Sequence, residues 1–171
     1  AEIPIIPDDL SEIPVSQDRF DLLYRLLKEY PQQTLTRADL LNQLGEAYQS
    51  HLNYVSAEKA YQESLNIYAA LNQPSQTAEL LNNLALLYGS QGKYEAAEPL
   101  YQQALALKRE LFGDRHPAVA TSLNNLAGLY YSQGKYEAAE PLYQQALVLR
   151  RELLGDRHPD VATSLNNCIN D

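Results

Sequence analysis

The sequence predicts an all-α protein made by stacking copies of one helix pair, and three observations point there. The phrase LNNLALLYGSQGKYEAAEPLYQQAL at 81–105 returns as LNNLAGLYYSQGKYEAAEPLYQQAL at 123–147 with two letters changed. Inside each copy apolar residues recur at i, i+3, i+4 and i+7, the period of a helix with one buried stripe. Hydrophobic residues make up 45% of the chain, with 13 Tyr against 2 Phe and only 7 Gly, and their Leu- and Ala-rich mix favours helices. One such pair cannot bury its apolar face alone, so copies stack.

Taken in order, residues 1–17 carry Pro4, Pro7 and Pro14 and no helical stripe, and read as an extended segment. Residues 18–31 read as a capping helix with Phe20, Leu23, Tyr24 and Leu27 on one face and Pro31 at its end. Residues 34–171 form the repeat array, divided at about 36–75, 77–118 and 119–160 with a half repeat at 161–171. The first copy is degenerate, but Leu41, Leu44, Tyr48, Tyr54, Ala57, Tyr61 and Leu65 all find counterparts forty residues later. Leu84, Leu126 and Cys168 stand 42 residues apart, so the later period is strict.

Each copy reads as two helices. In the third, Leu123, Leu126, Ala127 and Tyr130 mark helix A, and Gly134 supplies a left-handed turn. Tyr136, Ala139, Leu142, Tyr143, Ala146 and Leu147 then mark helix B, which stops at Gly155 before Pro159 opens the next helix. Pro99 and Pro141 fall beyond the first turn of helix B and predict a slight bend. The last copy reaches Asp171 after a single helix A, with Cys168 where a core Leu stood. That helix is either the cap of the array or the cut end of a longer one; its thiol reads as a small buried hydrophobe, or as a cross-linking group if the helix frays.

The pattern Leu123, Leu126, Ala127, Tyr130, Ala139, Tyr143, Ala146 resembles the tetratricopeptide consensus, and the 42-residue period with LNNLA, QGKYEAAEPLYQQAL and GDRHP is similar to the kinesin light chain type of that repeat. The resemblance covers roughly 36–171. It implies a right-handed α-solenoid of antiparallel helix pairs whose A helices line a concave peptide-binding groove. In that layout Glu79, Leu86 and Gly89, with Thr121, Gly128 and Tyr131, project into the groove, and these are among the nine positions at which the two long copies differ. The framework repeats while the groove varies. The varying residues either shape ligand pockets or compensate in size, Leu86 filling space beside Gly128 and Tyr131 beside Gly89.

Asn42, Asn82, Asn124 and Asn166 occupy one groove position in every copy. A carboxamide offers donor and acceptor together and can clasp the backbone of an extended peptide, as the resemblance also implies. The adjacent Asn83, Asn125 and Asn167 are expected to bond to loops or neighbouring helices. Gln103 and Gln145 stand where kinesin light chain repeats usually carry a basic residue, and the groove adds Asp39, Glu46 and Glu79. Acidic cargo is therefore disfavoured, and a neutral or basic protein or peptide partner is expected.

Net charge is −9, and no Lys/Arg cluster interrupts it, which argues against nucleic acid. No apolar run is long enough to span a bilayer, so a soluble protein is expected, in the cytoplasm rather than exported. One cysteine excludes an intramolecular disulfide and a cysteine-based zinc site. His116 and His158 recur once per inter-repeat loop without a partnering nucleophile, and read as ties between loop and next helix. No HExxH, P-loop or GxGxxG is present; no catalytic, cofactor or metal site is expected. The function expected is an interaction scaffold that binds an extended segment on the helix A face. The alternative is an assembly element that forms a homodimer through its incomplete C-terminal repeat or through residues 1–17, which resemble a groove ligand themselves.

Overall fold

A computed structural model describes residues 17–169, with side chains described for 19–167. All regular structure among the described residues is helical: α1 (Gln17–Glu29), α2 (Leu35–Ser50), α3 (Tyr54–Ala70), α4 (Pro74–Ser90), α5 (Tyr94–Phe112), α6 (Pro117–Ser132), α7 (Tyr136–Leu154) and α8 (Pro159–Ile169). The all-α repeat expected from the sequence is what folds. Two compact units divide the chain, Ala1–Asn72 and Gln73–Asp171. The expectations placed on residues 1–16 and on the Cys168 side chain lie outside the described residues.

In the first unit, α2 and α3 run antiparallel, since residues early in α2 meet residues late in α3. Arg37 pairs with Glu63 at 2.7 Å, Ser64 donates to the Ala38 carbonyl at 2.7 Å, and the Tyr68 hydroxyl donates to the Asp39 carboxylate. Thr34 caps α2 by accepting from the Arg37 N–H. The Arg37 guanidinium reaches back to the Leu27 and Tyr30 carbonyls, satisfying groups that the end of a helix leaves open. Leu23 and Leu26 of α1 are buried with Leu40, Leu44, Ala47 and Ala60, each fully buried Leu contributing about 1.5–3 kcal/mol. Here α1 covers one face of the α2–α3 pair. One residue of its expected face is corrected: Tyr24 is 44% exposed, and Leu26, three residues beyond Leu23, takes the buried place. Gly45 is packed under Tyr61, where an added Cβ would lie 2.5 Å from the ring.

The second unit holds two complete helix pairs and α8. Pro74, Pro117 and Pro159 each open a helix, where the missing N–H costs nothing. Gly113 and Gly155 end α5 and α7 at φ of 76° and 82°. The histidines of the GDRHP loops do tie down the following helix: His116 Nδ1 accepts from the Ala118 N–H at 3.1 Å and His158 Nδ1 from the Asp160 N–H at 3.2 Å. Pro99 and Pro141 sit inside α5 and α7, which continue through them. The core of this unit runs through Tyr101, Leu105, Val119, Leu123, Leu126 and Leu149.

Candidate functional site

Helix periodicity places Glu79, Asn82, Leu86 and Gly89 along one side of α4, with Thr121, Asn124, Gly128 and Tyr131 at the same positions of α6. Between these helices lies a cleft of about 330 Å³. Leu86, Gly89 and Ser90 form one wall, Asn124, Asn125, Gly128, Leu129 and Ser132 the other, and Tyr94 and Tyr101 of α5 complete it. Four residues expected at the site therefore meet there: Leu86, Gly89, Asn124 and Gly128. The lining carries no acidic or basic side chain. Burial pushes the Tyr101 hydroxyl up to about 12, so it stays a neutral donor over the whole physiological range.

The two glycines do not have their space filled by the large residues of the other copy. A Cβ added to Gly128 would meet only the Tyr143 hydroxyl within 4 Å, at 3.4 Å, and one on Gly89 only Leu129 Cδ1, at 3.6 Å. Leu86 is 51% exposed, and Tyr131 turns to an edge-on contact with Tyr136, ring centres 5.1 Å apart. Size compensation is thus not what keeps glycine at these positions.

The asparagines form a ladder. Asn125 Nδ2 donates to Asn82 Oδ1 at 2.8 Å, and Asn167 Nδ2 donates to Asn124 Oδ1 at 2.9 Å. The second asparagine of each pair bonds to a neighbouring A helix, as expected, and its acceptor is the groove asparagine itself. In the first unit Asn42 Nδ2 donates to Glu46 at 3.2 Å. Thr121 turns back to the Pro117 carbonyl at 3.2 Å, Asn166 is exposed on α8, and Glu79 lies close enough to the Lys108 ammonium to favour its charge, which burial otherwise disfavours.

Sequence reasoning missed Ser90, Ser132, Tyr94 and Tyr101 in the cleft wall. Ser90 matches Ser132, and Tyr94 and Tyr101 match Tyr136 and Tyr143, so comparing copies could not single them out. A larger cleft, about 780 Å³, lies among α5, α6 and α7 over Val119, Leu123 and Leu149. None of the residues expected in the groove lines it, and of its lining only Val119 and Val148 differ between the long copies. Among the described residues no group of His, Cys, Asp and Glu could hold a metal ion, and no helix is long and apolar enough to cross a membrane.

The tetratricopeptide repeat family matches residues 76–151 and 119–168, together more than half the chain, and the chain belongs to it. The coatomer epsilon subunit family also matches residues 12–111, across α1, the degenerate copy and most of the first long one. Among solved structures, BtubC (BKLC) from P. vanneervenii is similar at 27% identity and a TM-score of 0.79, over 89% of this chain and 63% of that one. The chain thus spans less than two thirds of that protein's length. The nearly identical TPR-like repeats of a kinesin light chain-like protein from Podosopora anserina share the fold at 21% identity and a TM-score of 0.76, over 90% of this chain and 76% of that one. The N-terminal domain of stress-induced protein-1 (STI-1) from C. elegans shares it at 17% identity and a TM-score of 0.58, over 79% and 96%. Among curated proteins no sequence matches. The chain is a tetratricopeptide repeat protein, its fold shared with kinesin light chain-like repeats, and the tetratricopeptide fold is that of protein–protein interaction scaffolds.

Proposed function

We propose that the unit Gln73–Asp171 binds an extended segment of a protein partner along the face of α4 and α6 that carries Asn82 and Asn124. The cleft at Leu86, Gly89 and Gly128 receives one apolar side chain of that segment. The observation that carries this reading is that a Cβ at either glycine would meet only one atom, at ordinary van der Waals distance: a mid-helix glycine costs about 1 kcal/mol relative to alanine, and neither is demanded by a neighbouring side chain. An uncharged lining with Glu79 beyond it suits a neutral or basic segment, and the net charge of −9 disfavours acidic ones over longer range.

The test is a peptide array followed by fluorescence anisotropy on the full chain and on Gly128→Leu. Leucine occupies the equivalent position of α4 natively, as Leu86, so the helix accepts it and its propensity adds about 0.8 kcal/mol of stability. Saturable binding should weaken by roughly tenfold or more as the cleft fills, with unfolding unchanged or shifted upward. Binding indifferent both to Gly128→Leu and to Asn82→Ala with Asn124→Ala would place the ligand elsewhere and sink the reading.

A further inference from the structure

Both joints between helix pairs in the second unit bury polar groups, and only one of them satisfies those groups. Where α7 meets α8, the Arg150 guanidinium donates to the Ser164 hydroxyl and to the Asp160 carbonyl. Where α5 meets α6, Lys108 is 8% exposed, and its ammonium makes no hydrogen bond or ion pair among the described residues. Burial disfavours its charge, and the Glu79 carboxylate of α4 opposes that only through space. Ser122, at the place of Ser164, is 1% exposed and its hydroxyl has no partner. A buried hydroxyl that gives up water and gains no bond favours any state in which water returns to it.

The same joint is tied at its other end. The Tyr130 hydroxyl of α6 donates to the Glu98 carboxylate of α5 at 2.9 Å, and Lys135 pairs with Glu98 at 3.7 Å. Nearer the middle, Asn125 of α6 donates to Asn82 of α4 at 2.8 Å. Glu98 and Lys108 are ten residues apart on α5, about 15 Å along a helix, so the tied and untied ends are well separated. The cleft of about 780 Å³ lies at the untied end, where Val119 and Leu123 of α6 line it with Arg109 and Asp114. The loop that joins α5 to α6 there, 113–116, is mostly exposed and begins at Gly113 in the left-handed region, a residue that accepts a wide range of backbone conformations.

We infer that the α5–α6 joint is a hinge: α6, with α7 and α8, pivots on the Tyr130–Glu98 end and parts from α5 at Lys108, Val119 and Ser122. The consequence falls on the face shared by α4 and α6. The cleft at Leu86 and Gly128 lies at the tied end and keeps its shape, while Glu79 and Thr121, at the untied end, change their separation. The face is rigid at the cleft and adjustable beyond it, which lets one site accept segments of different bulk. The hinge itself stands independently of the peptide-binding reading.

Thiol labelling reads the hinge on the full chain, with Cys168→Ser as the background so that only an introduced thiol reacts. Val119→Cys puts a thiol at a buried position of the untied end, and Leu126→Cys at a buried position one α6 stripe further towards the tied end. Ala97→Cys, beside Glu98 on α5 and fully buried, replaces Leu126→Cys if that variant does not fold. Iodoacetamide labelling, measured alongside urea unfolding of each variant, separates partial opening from global unfolding. At position 119 labelling should run roughly tenfold or more faster than global unfolding permits, and should rise little in dilute urea because a hinge exposes little new surface. At position 126 it should follow global unfolding. Lys108→Arg should slow labelling at 119 by roughly tenfold, by supplying the bond to Ser122 that the other joint has. Labelling at 119 that follows global unfolding, or that ignores Lys108→Arg, overturns the hinge. Equal partial opening at 119 and 126 overturns it too, because the joint then parts along its whole length and nothing pivots.

Discussion

Leu52 stands in the turn where the later copies carry glycine, and it takes the left-handed conformation that glycine takes there. Its φ is 58°, against 72° at Gly92 and 73° at Gly134, and its side chain is 71% exposed. A left-handed conformation costs an ordinary residue roughly 1–2 kcal/mol, while glycine gives back about 0.5–1 kcal/mol in unfolded-chain entropy. Leu52→Gly should therefore stabilise the first unit by about 0.5–1 kcal/mol, because little burial is lost. Urea denaturation monitored by circular dichroism reads this as a higher midpoint; an unchanged or lower one would show that the turn carries no strain. At this scale the sequence was informative where chemistry is local. The glycine turns and the loop histidines could be assigned from neighbouring letters alone, whereas Tyr24 and Leu26 traded places because several positions on one side of a short helix fit the same stripe.

Between elements, the joint from one repeat to the next is built twice, with two of its three residues changed. Arg150 of α7 is buried and donates to the Ser164 hydroxyl at 2.7 Å and to the Asp160 carbonyl at 3.1 Å, both on α8. The same places one copy earlier hold Lys108, Ser122 and Ala118. There the Ser122 hydroxyl is buried without a hydrogen-bond partner, and burial lowers the pKa of Lys108, opposed by the Glu79 carboxylate. At the later joint both bonds come from the one nitrogen Arg150 Nη1, at the end of a side chain one atom longer than lysine's, whereas the Ser122 hydroxyl receives none from Lys108. Lys108→Arg should restore them and stabilise the second unit by about 1–2 kcal/mol. Ser122→Ala should be neutral or stabilising in the native background, where the hydroxyl has no partner to lose. In the Lys108→Arg variant the same change should be destabilising, because there the hydroxyl accepts from the guanidinium. A double-mutant cycle with no coupling between the two positions would refute this account of the joint. Periodicity revealed the helices on either side but not this bond, since a stripe says which face is buried and not which polar groups meet there.

For the molecule as a whole, the repeat made the helices and their order legible, because a strict 42-residue period with one stripe per helix admits few other folds. The site was legible only in part. Leu86, Gly89, Asn124 and Gly128 were marked by variation between copies or by recurrence in every one, but the ladder that orients the asparagines depends on three-dimensional pairing across repeats. Tyrosines that hold their protons tightly occur in both units. Tyr61 in the first, and Tyr101 and Tyr130 in the second, have their hydroxyl pKa values raised above the usual 10.0, mainly by burial. A group that holds its proton more tightly when folded contributes stability that is complete below its unfolded pKa and is lost as pH rises through its folded one. Stability should therefore fall from about pH 10 upward, with Tyr101 completing its share near 12. Lys108 runs the opposite way, its buried charge relieved as pH rises, and one such group does not offset three. Urea midpoints measured between pH 9 and 12, alongside phenolate absorbance, should decline together across that window; midpoints that stay level while the phenolate signal grows would mean that these hydroxyls ionise without opening the helix pairs.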